Sequence, residues 1–389
     1  MEGKYWGLIL GVLCFLMVSQ VQAEEKWYDR IDLGLSVAGI VQGVFDVDQN
    51  MVKALRDPDN DVLTESDKGY AAISADLEAS TEFTSTDRAY LLLEMGSGRN
   101  PEQDVTSFAG IVDEALSMVP VATDDGDVRI SEAWYEHDFS FTGGKARLRF
   151  GKVDLTTDFD TNEYANDECA QFISPEFINN IAVEFPDYGF GSMLWIETDK
   201  VSFGLGYADA DADWSELFDY PFFIGELDIR TNLFNHPGNY RFYAWYNGTK
   251  HDQILGNGTD TGYGFGLSFD QELTDGVGLF LRYGWQDGEV YEFDHALSGG
   301  MALSGKLWGR EDDTLGLGFG VAFLSDDYEK SLRNENHHPD DEYHLEVYYN
   351  LKVNDFLTIT PDIEWTDNPS GYDDYDHFWV VSTRATWAF

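Results

Sequence analysis

Through most of this chain apolar and polar side chains alternate one by one, the period of a β-strand and not the 3.6 of a helix. Ile31, Leu33, Leu35 and Val37 are separated by Asp32, Gly34 and Ser36, and Ile73, Ala75 and Leu77 by Ser74, Asp76 and Glu78. Sixteen such runs follow one another, near residues 31–37, 73–78, 88–97, 127–139, 145–150, 189–198, 200–208, 222–232, 239–247, 262–270, 276–286, 295–304, 313–324, 342–352, 356–366 and 376–389. The fourth changes phase between Ile130 and Ala133, which predicts a β-bulge near Glu132. In the thirteenth, Leu315, Leu317, Phe319, Val321 and Phe323 are spaced by Gly316, Gly318, Gly320 and Ala322. Such glycines would leave voids in a small sandwich, whereas in a barrel they are expected to look into water.

The connections alternate in length. Segments 47–69, 98–126, 153–187, 209–221, 248–261, 287–294, 325–341 and 367–375 are mostly long and rich in Asp, Asn and Gly. Between them lie tight links such as Phe141–Gly144, Thr198-Asp199-Lys200 and Asn354-Asp355. Long loops at one end and short turns at the other are the pattern of an outer-membrane barrel, and sixteen strands are enough to enclose an aqueous channel. The expected fold is therefore all-β: a transmembrane antiparallel β-barrel of about sixteen strands with long extracellular loops. Two soluble β-domains have no reason to alternate in this way throughout. One loop carries a helical signal: Pro101 follows a capping Asn100, and Phe108, Ile111, Val112 and Ala115 recur at helical spacing. This predicts a short helix packed into the barrel mouth or over its rim.

Other features agree with export to a membrane. Residues 1–23 read as a signal peptide, with Lys4, an apolar run from Trp6 to Val18, and Val21-Gln22-Ala23 as the cleavage pattern. Residues 24–389 then form one barrel domain. Leu13 before Cys14 does not suit lipidation, and removing the leader leaves Cys169 without an internal disulfide partner. No later stretch is apolar for long enough to be a membrane helix, so a membrane reading means a barrel. In the last run Trp379, Val381, Thr383, Ala385, Trp387 and the terminal Phe389 share one face, and Ser382, Arg384 and Thr386 the other; this resembles the insertion signal of bacterial outer-membrane barrels. The net charge of −48 repels nucleic acid. Apolar residues at 43% are too many for a disordered polyanion.

Catalytic and metal motifs are weak. The eight histidines lack metal-ligand spacing, and His337-His338 lies in an acidic loop. The runs Asp124–Asp127 and Asp209–Asp213 offer weak Ca2+ ligands, but neither has the spacing of a dedicated calcium loop, and a solvated, repelling surface is the better reading. No G-x-S-x-G elbow is present. Neither catalysis nor a cofactor is expected.

The most informative stretch runs from Lys145 to Pro186. Ala146, Leu148 and Phe150 fall on one strand face; Lys145, Arg147 and Arg149 fall on the other, with Lys152 just beyond. A soluble strand with one dry side shows this pattern, and so does a barrel wall apolar to lipid and cationic to a wet lumen. The segment 153–187 is too long for an ordinary connection. It interleaves Asp154, Asp160, Asn162, Asn166, Asp167, Asn179 and Asn180 with Phe159, Tyr164, Phe172 and Phe177. Directional polar groups beside flat apolar rings are what a sugar-sized ligand needs.

At these residues a family resemblance appears. Gly151-Lys152-Val153-Asp154, Phe159-Asp160-Thr161-Asn162, Asn166-Asp167, Gln171-Phe172, Phe177-Ile178-Asn179-Asn180 and Phe185-Pro186 resemble the central signature of the OprB-type carbohydrate-selective porins. The resemblance implies an outer-membrane barrel of a Gram-negative bacterium, often homotrimeric, that passes sugars by diffusion while its third long loop folds inward to narrow the channel. The partners implied are outer-membrane lipid and small sugars or other polar solutes.

A charge facing lipid in mid-membrane costs about 2–4 kcal/mol, so Arg129, Arg147, Arg149, Arg241, Arg282 and Arg384 are expected to face the lumen. Arg147, Arg149 and Lys152, opposite Glu132, Asp154, Asp160 and Asn162, would form a hydrogen-bonding eyelet. Trp245, on the same face as Arg241 and Tyr243, would offer a stacking surface for a sugar ring. The alternatives are a general or cation-preferring porin, or a structural barrel that anchors a partner.

Overall fold

The computed structural model describes residues 30–48, 68–103, 105–111, 128–233 and 235–389. The leader, the Asp124–Asp127 run, Val112 and Ala115 lie outside them. The described residues form sixteen strands: β1 (Ile31–Phe45), β2 (Lys68–Glu82), β3 (Asp87–Gly98), β4 (Val128–Phe141), β5 (Gly144–Val153), β6 (Gly189–Glu197), β7 (Val201–Asp209), β8 (Pro221–Leu233), β9 (His236–Asp252), β10 (Thr259–Thr274), β11 (Val277–Gln286), β12 (Phe293–Ser304), β13 (Thr314–Leu324), β14 (Glu342–Lys352), β15 (Leu357–Asp367) and β16 (Phe378–Ala388). Each pairs antiparallel with its sequence neighbours, and β1 also pairs with β16, from Ser36 opposite Ala388 to Phe45 opposite Trp379. The sheet is closed and has no free edge, the condition for a β-structure to survive in hydrocarbon.

The side chains are sorted inside out relative to a soluble protein. Leu33, Val41, Phe139, Phe150, Phe203, Phe223, Phe265, Phe319 and Ile363 are exposed on the outer face, while Glu226, Arg282, Glu346, Asp362 and Arg384 are buried inside. Only surrounding lipid makes that arrangement favourable. The bulge falls at Ser131, between Leu92 and Leu93 of the neighbouring strand, one residue from its expected place. It turns both Ser131 and Glu132 inward and leaves Ile130 and Ala133 exposed.

Two expectations are corrected. The glycine-rich face of β13 does not look into water; it receives the loop that follows β5. A methyl group added at Gly318 would lie 2.9 Å from the rings of both Phe172 and Phe177, and one at Gly320 would meet the Glu176 carboxyl. On β7 and β11, Gly206 and Gly278 receive Phe159 and Tyr164 in the same way. Gly318→Val is therefore expected to overpack this contact by about 1–3 kcal/mol. It should lift the loop from its seat, seen as raised single-channel conductance and faster proteolysis within residues 154–188.

The second correction concerns the helix in the connection between β3 and β4. Among the described residues of this connection, the one helical piece is a 3-10 turn at Pro101–Gln103. Residues 105–111 are irregular because their backbone donors go elsewhere: the N–H groups of Phe108 and Ala109 bind the Glu342 carboxylate at 3.0 and 2.8 Å, and Ser107 Oγ binds it at 2.9 Å. The segment does pack inward, with Phe108 against Phe293 and Tyr328. A helix that the alternation did not reveal, Asp326–Asn334, follows β13 and is capped by Ser325, which accepts from the Tyr328 N–H.

Candidate functional site: an inward loop beside a basic wall

Residues 154–188 leave β5 and cross the barrel interior before returning to β6. Asp154 starts the turn by accepting from the backbone N–H and hydroxyl of Thr156, each at 2.8 Å. Phe159 then buries fully beside Trp195 and Ile224. At Asp160 the backbone is left-handed, with φ 57°. Its carboxylate accepts from Asn180 N at 2.6 Å, Tyr243 Oη at 2.7 Å and Arg282 Nε at 3.2 Å. Arg282 also donates to the Phe177 carbonyl at 2.7 Å and the Asp160 carbonyl at 2.9 Å. Both halves of the loop are thus gathered onto one guanidinium from β11.

Further anchors follow in order. Asn162 Nδ2 donates to Ser268 Oγ and to the Phe269 carbonyl on β10, each at 3.1 Å. Arg384 of β16 donates to the Glu168 carbonyl and, at 2.8 Å, to that of Gln171. Glu346 of β14 accepts from the N–H groups of Ile173 at 2.6 Å and Ser174 at 3.1 Å. The helical turn Pro175–Ile178 then sets Phe177 against Phe172 in the β13 socket. Burial pushes Glu176 up to about 8, so at neutral pH its carboxyl is mostly neutral beside His344. On the return, Trp245 Nε1 donates to the Ala182 carbonyl at 3.1 Å.

Opposite this plug stands a wall of paired charges on β3, β4 and β5. The register sets Arg149 across from Glu136 and Arg147 across from Asp138, with Lys145 opposite Glu197 on β6. Arg149 binds Glu136 at 2.9 Å and Asp158 of the loop at 2.6 Å, and its guanidinium lies 4.0 Å from the centre of the Trp134 ring. Arg147 binds Asp158 at 2.7 Å. Toward the short turns, Arg88 binds Glu136 and Asp138, and Lys145 binds Glu197 at 3.4 Å.

Exposure is uneven across these pairs. The side chains of Glu136 and Asp158 are 3% and 7% exposed, against 37% for Arg88, 41% for Lys145 and 20% for Arg147. Asp138 and Glu197 keep 17% and 21% exposure and Arg149 only 11%, so it is Glu136 and Asp158 that sit behind, and Arg88 and Lys145 that stand most open, giving a strongly acidic protein a locally basic strip. On the short-turn side of the loop lies a cavity of about 370 Å³, lined among others by Glu163, Gln171, Glu272, Lys306 and Asn350. At about 30 Å³ each it has room for roughly ten waters.

The residues named from sequence fall into three groups. Arg147 and Arg149 lie in the basic wall. Arg129 lies on the same wall nearer the long loops, bound to Glu94 at 2.9 Å. Asp160, Asn162, Tyr243 and Trp245 are buried. They hold the loop and are not free to meet a solute, so the expected stacking surface at Trp245 is corrected. Phe159, Phe172 and Phe177 of the loop are likewise buried against the barrel wall, while Tyr164 lines the cavity.

Arg241 is paired with Asp270 at 2.6 Å. Glu132 accepts from Trp134 Nε1, and Asp154 is occupied with Thr156, so neither completes the arginine cluster. Lys152 is also outside it. It lies on the other strand parity and donates to the Ile130 carbonyl at 2.7 Å. The true partners of the arginines, Glu136 and Asp158, and the added cation Arg88 were not selected from sequence. The alternation of the β3 and β4 runs carried a signal for the two wall residues. None exists for Asp158, whose position depends on how the loop folds.

Comparison with known proteins agrees with this architecture. A sequence model of the carbohydrate-selective porin, OprB family, matches residues 63–389. An uncharacterized protein of Aquifex aeolicus is 28% identical over 225 residues, 58% of this chain and 60% of that protein. Porin B of Pseudomonas aeruginosa is 25% identical over 188 residues, 39% of this chain and 41% of that protein. The matches thus span 60% or less of these curated relatives. Among solved structures, the high-pH structure of Pseudomonas putida OprB superposes with a TM-score of 0.77 at 17% identity, covering 100% of this chain and 98% of that one. The outer-membrane channel DcaP of Acinetobacter baumannii gives 0.52 at 13% identity, covering 92% and 97%.

Proposed function

The chain belongs to the carbohydrate-selective porin family, OprB, and from that premise we propose that its barrel passes small neutral sugars down their concentration gradient. It is an outer-membrane barrel, and its family and fold are those of channels. The route runs between the inward loop and the basic wall of β3–β5. The observation that carries this reading is the exposure of that wall, where Glu136 and Asp158 are buried at its centre and Arg88 and Lys145 stand most open. Arginine and lysine are pure donors, so they bind sugar hydroxyl oxygens in place of water. Buried carboxylates behind them limit the net charge of the strip and keep binding weak enough for release. The cavity below the loop is the exit vestibule. Homotrimeric assembly, implied by the family resemblance, belongs to the same proposal.

A second reading, a cation-preferring channel, is favoured by the net charge of −48 and by the buried carboxylate row Glu342, Glu346, Asp362 and Glu364 on β14 and β15. One experiment separates the two. Single-channel current through the purified barrel is recorded in planar bilayers while a neutral monosaccharide or disaccharide is added. Saturable block of the ion current is expected for a sugar path. Current that falls only with bulk viscosity, together with a strong cation preference, would replace it with the second reading.

A further inference from the structure

The turn that follows β7 draws three carboxylates together. Asp209, Asp211 and Asp213 alternate with Ala210 and Ala212, and on an extended strand their side chains would project in parallel, roughly 6–7 Å apart. Here the chain doubles back instead. Ala212 and Trp214 take left-handed φ angles of 51° and 61°, and Ala210 N donates to the Tyr220 carbonyl at 2.8 Å to close the base of the loop. One oxygen from each of the three carboxylates then lies within 4.8 Å of the others.

A second observation separates this cluster from an ordinary acidic surface. Asp209 is fully buried, at 0% exposure, and neither of its carboxylate oxygens has a partner in full hydrogen-bonding geometry, although the Trp214 N–H is directed at it. Among the described residues, no lysine, arginine or histidine pairs with Asp209, Asp211 or Asp213, and Asp219 adds a further negative charge nearby. Asp213 is steadied by Ser215, which donates through its backbone N–H at 2.7 Å and its hydroxyl at 2.6 Å. A buried carboxylate facing two others is unfavourable as an anion unless it takes up a proton or a cation stands between them.

We propose that Asp209, Asp211 and Asp213 bind one Ca2+ ion at the extracellular rim. Carboxylate oxygens are the donors that hard divalent cations take. Two oxygens on one Ca2+ at 2.3–2.6 Å can stand up to about 5 Å apart, which suits this spacing, and water completes the shell. Mg2+ requires a tighter octahedron than a loop of this kind supplies. The solvated reading of the Asp209–Asp213 run thus gives way, because the sequence shows three acids but not that the first is buried. The ion would tie down residues 210–220, whose Leu217 carbonyl accepts from Tyr207 Oη and whose exposed Trp214 and Phe218 pack on Phe190 and Tyr207. Ca2+ would therefore set how these rings meet the outer edge of the bilayer.

The test is calorimetric titration of CaCl2 into the EDTA-stripped, detergent-solubilised full barrel, with proteolysis of the 210–220 loop followed in parallel. The wild type should show one saturable event with a Kd on the order of 10⁻⁴ M, the range of extracellular calcium modules, and Ca2+ should slow cleavage. In the Asp211→Asn/Asp213→Asn double variant, whose changes are at exposed positions, binding should weaken at least tenfold and protection should vanish. Asp209→Asn, which removes the buried charge, should resist cleavage without Ca2+. Identical isotherms for wild type and double variant would overturn the site, as would an Asp209→Asn loop that still depends on Ca2+. Equal protection by Mg2+ would overturn the choice of ion.

Discussion

Arg282→Met should open the channel: single-channel conductance rises and block by sugar is lost, while the barrel itself stays folded. Arg282 is 1% exposed and is bound at once to the Asp160 carboxylate, the Asp160 carbonyl and the Phe177 carbonyl. Methionine fills much of the same volume but leaves the Asp160 carboxylate, itself fully buried, without its cation. Removing one partner of a buried ion pair costs about 3–5 kcal/mol. The cheapest way to relieve that cost is for the loop to leave the wall and hydrate Asp160. The strand ladder of sixteen pairings is untouched, so heat-modifiable migration in detergent gels should remain that of a closed barrel. Tyr243→Phe removes one hydrogen bond to the same carboxylate, about 1–3 kcal/mol for a charged acceptor, and should give a smaller increase. Unchanged conductance in Arg282→Met would mean that the loop is held mainly by its aromatic sockets.

The second large effect is on ion preference. In Arg147→Gln/Arg149→Gln both cations that pair with Asp158 disappear, leaving it uncompensated, while Glu136 keeps only Arg88. A unit charge about 4 Å from a permeating ion is worth about 1 kcal/mol in water. Removing two should therefore shift cation-over-anion permeability on the order of tenfold. The readout is the reversal potential under a salt gradient at low ionic strength, where screening is weak. Lys152→Gln is the control. Its ammonium binds the Ile130 carbonyl away from the cluster, so the potential should hardly move. A shift in Lys152→Gln equal to that of the double variant would remove the basic wall from the ion path.

Much of this was legible in the chain itself. Alternation with period two, long and short connections in turn, and a terminal amphipathic strand specify a closed barrel, because each residue's face in a strand follows from its position alone. The same rule turns Arg147, Arg149, Arg241 and Arg282 inward, since lipid rejects charge. Even the bulge at Ser131 shows as a break in phase. These are local properties, and local pattern encodes them.

What the inward side chains do once inside was decided only by the tertiary structure. Tyr243 and Trp245 read as lumen-lining, yet the loop between β5 and β6 covers them. Gly318 and Gly320 read as facing water, yet they make room for Phe172, Phe177 and Glu176. Asp158 carries no periodic signal, yet it joins both wall arginines. Each outcome depends on contacts between residues far apart in sequence, and strand parity says which face a side chain takes but nothing about what arrives to meet it.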